Sequence, residues 1–269
     1  MRDLSDLPPL PLIEEPPTAS GYGRVPIDQN DPRGSEPLVD LLAFGLAGEP
    51  YYARTDGDNA PYNTALSGAI PYLLARRSVA ESLLAVDTWL APYGVALFLW
   101  DAYRPPAVQQ GLWDFHAAER RRSEPEIAED DLDAELRRYI SDPHRFDPKD
   151  ATTWPAHSTG GAVDLTLFDP SDGTLLPMGA DFDEMGAASH SDFFECATLR
   201  GDVPKSDPRL LNRRLLFAAM GTQGFVNYPH EFWHFDLGTQ MGSWNRAHLE
   251  NTAPKPAFYG YVALPSAFS

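Results

Sequence analysis

The chain has 269 residues, of which 43% are hydrophobic, and a formal net charge of −18 at pH 7. This charge argues against a nucleic acid or an anionic membrane surface as partner, because both bind cationic protein faces. Cys196 is the single cysteine, which excludes an intramolecular disulfide and a cysteine-rich zinc site.

The N-terminal residues and the hydropathy pattern bear on where the protein acts. Residues 1–17 hold prolines and acidic residues and lack the basic and apolar segments of a signal peptide. No stretch approaches the ~20 consecutive apolar residues that a membrane-spanning helix needs. The sequence therefore predicts a cytoplasmic protein without a membrane segment, and it leaves open whether the chain forms a homo-oligomer.

The proline-rich residues 1–50 are interpreted as an extended arm with turns, packed on a single domain of residues 51–269. Helical periodicity then predicts a helix over 78–92, with Ser78 as its N-cap and Glu81 three residues later. The arm and the first helix are thus the N-terminal elements that the sequence predicts.

An apolar run at 95–101 predicts a buried strand, and prolines after it start a predicted helix over 107–122. The charged stretch 119–150 is interpreted as a helical insertion, with a helix at 126–140 and a solvated charged face. Alternating β-branched residues predict a strand over 162–168.

A further helix is predicted from Pro208 to Gln223, with Asp207 as N-cap and proline in the first turn. The mixture of strands and helices without an internal repeat indicates one α+β domain.

The string "PHEFWHFD" at 229–236 contains the pattern H-E-x-x-H, which on a helix is a zinc protease motif. Pro229 and Gly238 confine the segment, and its aromatic density favours a strand. On a strand, His230 and His234 would lie ~13 Å apart at ~3.3 Å per residue. The sequence therefore predicts that only His234 is a metal ligand and that His230 lies at a surface or loop edge.

The string "HSTGGAVD" at 157–164 supplies candidates for the other ligands. His157 follows a proline in a loop, and Asp164 lies in an apolar strand, where a carboxylate is costly unless it is paired or bound to metal. A structural ion pair is the alternative role for Asp164. Together with His234 these residues give three protein ligands, the number found in catalytic zinc sites.

Two more residues are candidates for chemistry beside such a metal. Glu231 precedes His234 by three residues and serves as general base if the chain bends before the strand. Arg104 follows a buried strand and precedes two prolines, so a fixed guanidinium there stabilises an oxyanion. An ordinary arginine at a helix start is the alternative for Arg104.

Four strings in order carry a family resemblance: "DAYRP", "HSTGGAVDLTL", "MGADFDEM" and "GFVNYPHEFWHFDLG". The chain resembles the D-alanyl-D-alanine dipeptidases of the vancomycin-resistance type over residues 50–245. These are zinc peptidases of the M15 class, which share a fold with D-Ala-D-Ala carboxypeptidases and the hedgehog signalling domain. The resemblance implies a mixed central sheet flanked by helices, with the zinc site in a narrow cleft.

The resemblance also implies roles for individual residues. The implied ligands of one Zn²⁺ ion per chain are His157, Asp164 and His234. Glu231 is the implied catalytic base and Arg104 the implied transition-state stabiliser. Asp183 in "FDEM" stands where the family has a carboxylate for the ammonium group of a small dipeptide substrate.

One departure concerns Pro155, which stands where the family pattern has a serine. Proline has neither a hydroxyl nor an N–H, so the specificity for D-Ala-D-Ala is open while the metal site is unaffected. The sequence also leaves open whether His190 lines the cleft or has a structural role.

Two alternatives to a dipeptidase follow from the same sequence. One is a carboxypeptidase or endopeptidase of the same fold that acts on peptidoglycan peptides. The other is a non-catalytic, zinc-containing binding protein, against which the candidate base and arginine argue.

Overall fold

A five-stranded sheet forms the centre of the protein. The computed structural model describes residues 4, 6–12 and 21–268. The strands are β1 Leu38–Asp40, β2 Ala47–Gly48, β3 Leu74–Arg76, β4 Ala96–Asp101, β5 Ala162–Phe168, β6 Val226–Asn227 and β7 His234–Asp236. The central sheet has the strand order β2-β4-β5-β7-β6. The strand β2 is parallel to β4, and the other neighbours are antiparallel, so the sheet is mixed as predicted.

Six helices surround the sheet in the described part of the chain. They are α1 Arg77–Leu90, α2 Pro106–Ser123, α3 Glu129–Leu136, α4 Phe193–Arg200, α5 Pro208–Thr222 and α6 Gln240–Glu250. The helices α1 and α5 pack against β4 and β5, whose side chains Leu97, Leu165 and Leu167 are fully buried. The predicted α+β class, with a mixed sheet flanked by helices, is confirmed. Among the described helices, none has the length and apolar character that crossing a membrane requires.

Several predicted elements agree closely with the structure. The strand predicted over 162–168 is β5, and the run at 95–101 contains β4. The Asp207 side chain accepts a hydrogen bond from the backbone N–H of Arg209, so it caps α5 as predicted. The helix predicted over 126–140 is shorter than expected, because α3 covers Glu129–Leu136 only.

The prediction that Ser78 caps α1 is wrong. The helix begins one residue earlier, and Ser78 donates from both its backbone N–H and its hydroxyl to the carboxylate of Glu36. One of the N–H groups that the first turn leaves unpaired within the helix is therefore served by a carboxylate 42 residues away. A local capping pattern contains no information about such a partner.

The first 50 residues contribute strands as well as turns. The strand β1 pairs with β3, and β2 is an edge strand of the central sheet beside β4. The division of the chain into an arm of residues 1–50 and a domain of residues 51–269 stays a prediction, as does the interpretation of 119–150 as an insertion. The structure adds that the central sheet includes a strand from before residue 50.

Three polar residues lie side by side across the middle of the sheet. Asp101 of β4 pairs with Asp164 of β5, and Asp164 pairs with His234 of β7. Directly paired residues of antiparallel strands have their side chains on the same face and close together. The strand register alone therefore brings two carboxylates and an imidazole into one row.

A bulge in β4 is needed to put Asp101 into this row. Leu99 pairs with Leu165, whereas Asp101 pairs with Asp164, so Trp100 is an extra residue on the β4 side. Side chains alternate along a strand, and an extra residue turns those that follow it to the opposite face. Without the bulge, Asp101 would point to the face of the buried leucines.

Arg213 of α5 holds the loop 178–190 against the body of the protein. Its guanidinium is buried and donates to the carbonyl oxygens of Met178, Ala188 and His190 at 2.9, 2.7 and 2.6 Å. It also lies over the ring of Phe232, 4.5 Å from its centroid. One side chain thus fixes both ends of a loop that contains little regular structure.

We expect the substitution Arg213→Met to lower the free energy of unfolding by roughly 3–5 kcal/mol, since each hydrogen bond from a charged donor contributes about 1.5–3 kcal/mol. Chemical denaturation measures the change, and limited proteolysis should show new cleavage within 178–190. Arg200→Met is the matched control, because Arg200 is an exposed arginine at a helix end whose ion pair in the described part of the chain is with Asp202. Equal stability of the two variants would contradict the anchoring role.

Candidate metal centre

Three buried side chains converge at the middle of the sheet: His157, Asp164 and His234. The Nδ1 atom of His234 lies 3.0 Å from an Asp164 carboxylate oxygen and 3.1 Å from His157 Nε2. One potential ligand atom from each residue lies within 4.8 Å of the other two. Among the described residues, these three side chains form the one cluster of His, Cys, Asp or Glu that could hold a metal ion. The three sequence-predicted ligands are therefore neighbours in space, although their metal-binding role stays a prediction.

In both histidines, the ring nitrogen that faces away from the cluster (the outer nitrogen) lies beside a hydrogen-bond acceptor. His157 Nδ1 lies 2.7 Å from the carbonyl oxygen of Ala102, and His234 Nε2 lies 3.0 Å from a carboxylate oxygen of Asp236. Each outer nitrogen must donate a proton to its partner, so the inner nitrogen of a neutral ring presents a lone pair. The second partner, Asp236, is fully buried and also accepts from the Thr239 hydroxyl at 2.6 Å.

Two inward lone pairs and the Asp164 carboxylate therefore face one another at hydrogen-bond distance. Such a set contains acceptors only, so it has to hold either an added proton or a cation. Two imidazole nitrogens and one carboxylate oxygen are a donor set that suits zinc. The residues present therefore fit one zinc ion, with His157, Asp164 and His234 as its ligands.

The protonation of the cluster follows from its charges. Burial acts to lower the pKa of His234, but the carboxylates of Asp236 and Asp164 outweigh it and raise the pKa well above its usual value. Burial acts to raise the pKa of Asp164, but the charges and hydrogen bonds of His157 and His234 hold it below its usual range. The metal-free cluster thus holds an ionised carboxylate and an extra proton on imidazole.

The segment before β7 is a turn, so the H-E-x-x-H pattern lies neither on a helix nor wholly on a strand. The Tyr228 N–H donates to the His234 carbonyl, and the Glu231 N–H donates to the Tyr228 carbonyl. The Asn227 side chain also donates to the carbonyls of Glu231 and His234, at 2.9 and 3.0 Å. The segment is not a helix, as predicted, but the strand is confined to His234–Asp236 because the preceding residues reverse direction.

The turn brings Glu231 against the metal-binding cluster. A Glu231 carboxylate oxygen lies 3.9 Å from His234 Nδ1. Burial raises the pKa of Glu231 to about 8, with the positive charge of His234 acting in the opposite direction. A cation in the cluster would favour the ionised form of this carboxylate further. Glu231 therefore lies beside the cluster with a raised pKa, and its role as a base stays a prediction.

Arg104 is buried next to Asp164 and held by several acceptors. Its guanidinium donates to Asp101 at 2.8 Å, to Asp164 at 3.1 Å and to the Gln109 side-chain oxygen at 3.2 Å. A fourth bond reaches the Tyr52 hydroxyl at 3.3 Å. These contacts fix a positive charge beside the cluster, while the role of Arg104 as transition-state stabiliser stays a prediction.

Asp183 approaches the same cleft from the loop that Arg213 anchors. Its backbone has φ +64°, a left-handed conformation that aspartate adopts more readily than most residues. One carboxylate oxygen accepts hydrogen bonds from the Tyr52 and Tyr62 hydroxyls, at 2.8 and 2.5 Å. The preceding Phe182 stacks on Trp100 of β4 with ring centroids 4.6 Å apart, which holds the loop 178–190 against the sheet.

All six predicted site residues line one narrow cleft with a cavity volume of about 40 Å³. About 10–15 Å³ of such volume holds one water molecule, so the cleft has room for roughly three. Tyr139, Ile140 and Ser141, from the charged stretch 119–150, line it as well, and so does Pro155. The cleft is therefore suited to a small ligand.

His190 and His230 lie apart from this cleft lining. Their ring nitrogens are 3.4 Å apart, and burial lowers the pKa of both, that of His230 to about 4. The structure thus separates His230 from the metal-binding cluster, in agreement with the sequence interpretation.

Five residues of the site were not predicted from the sequence: Tyr52, Tyr62, Asp101, His116 and Asp236. Asp236 had a usable signal, because it follows His234 by two residues and strand side chains alternate with that period. Asp101 stands three residues before Arg104, but its orientation depends on the bulge. The remaining three have no local signal.

Three ligands in a cleft with an adjoining carboxylate are the arrangement of zinc hydrolases, and together with the α+β fold they define the class as a zinc peptidase. A family model described as "D-ala-D-ala dipeptidase" (peptidase M15) matches residues 58–254. The chain belongs to this D-Ala-D-Ala dipeptidase family.

Individual relatives agree with this membership. The D-alanyl-D-alanine dipeptidase of Synechocystis sp. (strain ATCC 27184 / PCC 6803 / Kazusa) is 30% identical over 236 residues, which covers 84% of this chain and 92% of the relative. That of Enterococcus faecium is 31% identical over 202 residues, with coverages of 74% and 90%. Among solved structures, VanYB in complex with D-Alanine-D-Alanine has a TM-score of 0.41 at 14% identity, covering 70% of this chain and 82% of that chain.

We expect zinc binding to release at least one proton per ion at pH 7. His234 carries a proton in the metal-free protein because its pKa is raised, and zinc binds only the neutral ring. The apparent dissociation constant for zinc should therefore rise about tenfold for each unit by which the pH falls below that pKa, since one proton competes with the metal. Calorimetry in buffers of different ionisation enthalpy measures the released protons. An affinity that does not change between pH 6 and pH 8 would contradict the assignment.

Proposed function

We propose that the protein is a zinc-dependent dipeptidase that hydrolyses D-Ala-D-Ala or a related small dipeptide. The observation that carries this proposal is the position of Glu231, 3.9 Å from a ring nitrogen of His234 in a cluster that suits zinc. A site that only bound zinc would have no need of a carboxylate with a raised pKa beside it. Membership of the D-Ala-D-Ala dipeptidase family supports the same activity.

The proposed mechanism assigns one task to each side chain around the cleft. When bound, zinc supplies Lewis-acid activation at the reacting carbonyl and at water. Glu231 takes a proton from the water whose oxygen bonds to the carbonyl carbon, and it delivers that proton to the departing nitrogen as the C–N bond breaks. Arg104 stabilises the negative charge on the carbonyl oxygen. The products are two free amino acids.

We further propose that Asp183 binds the protonated amine of the substrate. Its carboxylate lines the same cleft as the metal-binding cluster and is fixed by two tyrosine hydroxyls. A protonated amine that enters the cleft loses water contacts, and a paired carboxylate compensates for that loss. A blocked amine has no positive charge to pair, so the arrangement favours dipeptides over longer peptides.

The stereochemistry of the preferred substrate is a separate part of the proposal. Pro155 lines the cleft where the family pattern has a serine, so one hydroxyl that could bind substrate is replaced by an apolar ring. We therefore extend the proposed substrates from D-Ala-D-Ala to related small dipeptides. The proposal also assigns the enzyme to the cytoplasm, in agreement with a cleft that admits a small free peptide; cell fractionation tests this location.

We expect the substitution Glu231→Gln to abolish dipeptide hydrolysis, with a loss in kcat of at least ~100-fold, since proton transfer by a positioned side chain contributes about 10²–10⁴-fold. Glutamine keeps the size of the side chain, and Glu231 is not among the three candidate ligands, so zinc content should stay at one ion per chain. The measurement is turnover of a panel of D,D, L,D and L,L dipeptides, together with metal analysis.

The exposed Glu250→Gln is the matched control for this variant, because Glu250 lies at the end of α6 and outside the cleft lining. Undiminished turnover by Glu231→Gln would rule out the proposed base. If the zinc-loaded wild-type protein hydrolyses no dipeptide of the panel, a non-catalytic zinc-containing protein becomes the better interpretation.

We expect acetylation of the substrate amine to reduce kcat/KM by about 10-fold or more, because a hydrogen bond to a charged group contributes about 1.5–3 kcal/mol. The measurement compares a free dipeptide with its N-acetyl derivative on the zinc-loaded protein. Equal or better hydrolysis of the acetylated peptide would instead favour the same-fold carboxypeptidase or endopeptidase.

A further inference from the structure

Asp183 is supported by a chain of hydrogen bonds that lies away from the reacting centre. Its Oδ2 atom accepts from the Tyr62 hydroxyl at 2.5 Å, and the same hydroxyl lies 2.9 Å from His116 Nε2. His116 belongs to α2 and lines the cleft beside Asp183. The chain His116–Tyr62–Asp183 therefore joins three separate segments at the end of the cleft where the amine is proposed to bind.

The direction of these hydrogen bonds follows from the chemistry of the groups. Burial raises the pKa of Tyr62 well above its usual value, with the charge of Asp183 as the next cause, so the hydroxyl keeps its proton. An ionised carboxylate only accepts, so Tyr62 donates to Asp183. The Tyr62 oxygen must then accept from His116, and this requires the tautomer with hydrogen on Nε2.

His116 makes this donation as a neutral ring at pH 7, because burial lowers its pKa below the usual value. The imidazole also contacts the Tyr62 ring edge to face, with centroids 5.8 Å apart. A neutral donor polarises the tyrosine hydroxyl without adding a positive charge that would compete with a substrate ammonium.

The hydrogen bonds from the two tyrosines leave one carboxylate oxygen of Asp183 for a ligand. Both tyrosine hydroxyls donate to Oδ2, and within the described part of the chain Oδ1 accepts no hydrogen bond. Tyr52 also bonds to Arg104, so it is tied to the metal side of the cleft. Among the described residues, neither Tyr62 nor His116 has a hydrogen bond to Arg104, and the side-chain hydrogen bonds of this pair lead to Asp183.

We propose that Tyr62 and His116 are positioning residues that fix the Asp183 carboxylate and thereby make the site selective for peptides with a free, protonated N-terminal amine. This inference rests on the proposed function and deepens it. An unsupported carboxylate would rotate and would have to be ordered again on each binding event, which weakens the hold on the amine. Neither residue has a part in the proposed chemistry at the reacting carbonyl, so the expected effect concerns binding and not the chemical step.

The experiment compares His116→Phe, His116→Gln and Tyr62→Phe with the wild type. Glutamine retains an N–H donor in place of Nε2, whereas phenylalanine retains the ring and removes the donor. His248→Gln is the matched control, because His248 lies in α6 and outside the cleft lining. Each protein is tested with D-Ala-D-Ala and with N-propionyl-D-alanine, which lacks the amine.

We expect KM for D-Ala-D-Ala to rise about 3- to 10-fold in His116→Phe, since a net hydrogen bond contributes about 0.5–1.5 kcal/mol. Tyr62→Phe should raise it at least as much, because it removes the direct donor, while kcat stays within about twofold in both. His116→Gln should lie close to the wild type. The ratio of affinities for the dipeptide and for N-propionyl-D-alanine should shrink in the two phenylalanine variants.

Dissociation constants are measured in parallel by calorimetry in a Glu231→Gln background, which binds without turnover. If the wild type hydrolyses nothing, the proposed function fails, and these constants still decide whether binding depends on the amine through His116 and Tyr62. An equal loss for both ligands, a fall in kcat with unchanged KM, or failure of glutamine to restore binding would each overturn the inference, because each indicates a structural role alone.

Discussion

The register between β4, β5 and β7 is the constraint on which the site depends. It aligns Asp101, Asp164 and His234 in one row across the sheet, with His157 delivered from the loop before β5. A slip of one residue in either pairing would turn these side chains to the opposite face. The apolar alternation of β5 specifies the register through core packing, so the forces that build the core also assemble the metal-binding cluster.

The electrostatics of the buried row explain why a cation belongs there. Asp101, Asp164 and Asp236 are buried carboxylates, and Arg104 supplies one positive charge between the first two. His234 lies between Asp164 and Asp236 and can accept one further proton. Several buried negative charges with so few partners are costly unless a cation joins them. A bound zinc ion would thus stabilise the fold at the same point where it serves chemistry.

The sequence predicted those parts of the site that are encoded locally. The strand β5 follows from alternation, and Asp164 is a ligand candidate because it is a carboxylate in an apolar strand. The confinement of the H-E-x-x-H pattern by Pro229 and Gly238 argued against a helix. Features that depend on distant partners were not predictable. Glu36 serves the first turn of α1 from 42 residues away, and Asp183 depends on two tyrosines more than 100 residues earlier in the chain. A one-residue bulge orients Asp101, and no composition rule signals it.

The two ends of the cleft are connected by one path of hydrogen bonds. Asp183 accepts from Tyr52, the Tyr52 hydroxyl accepts from Arg104, and Arg104 donates to Asp164. A substrate amine that pairs with Asp183 would draw negative charge toward itself and weaken the hydrogen bond from Tyr52, so the Tyr52 oxygen would become a poorer acceptor for Arg104. Because hydrogen bonds in a low-dielectric site polarise one another, the proposed recognition of the amine and the proposed role of the guanidinium at the reacting carbonyl would be physically coupled. A blocked amine would therefore lose an ion pair at one end of the cleft and would leave the hold of Tyr52 on Arg104 unchanged at the other.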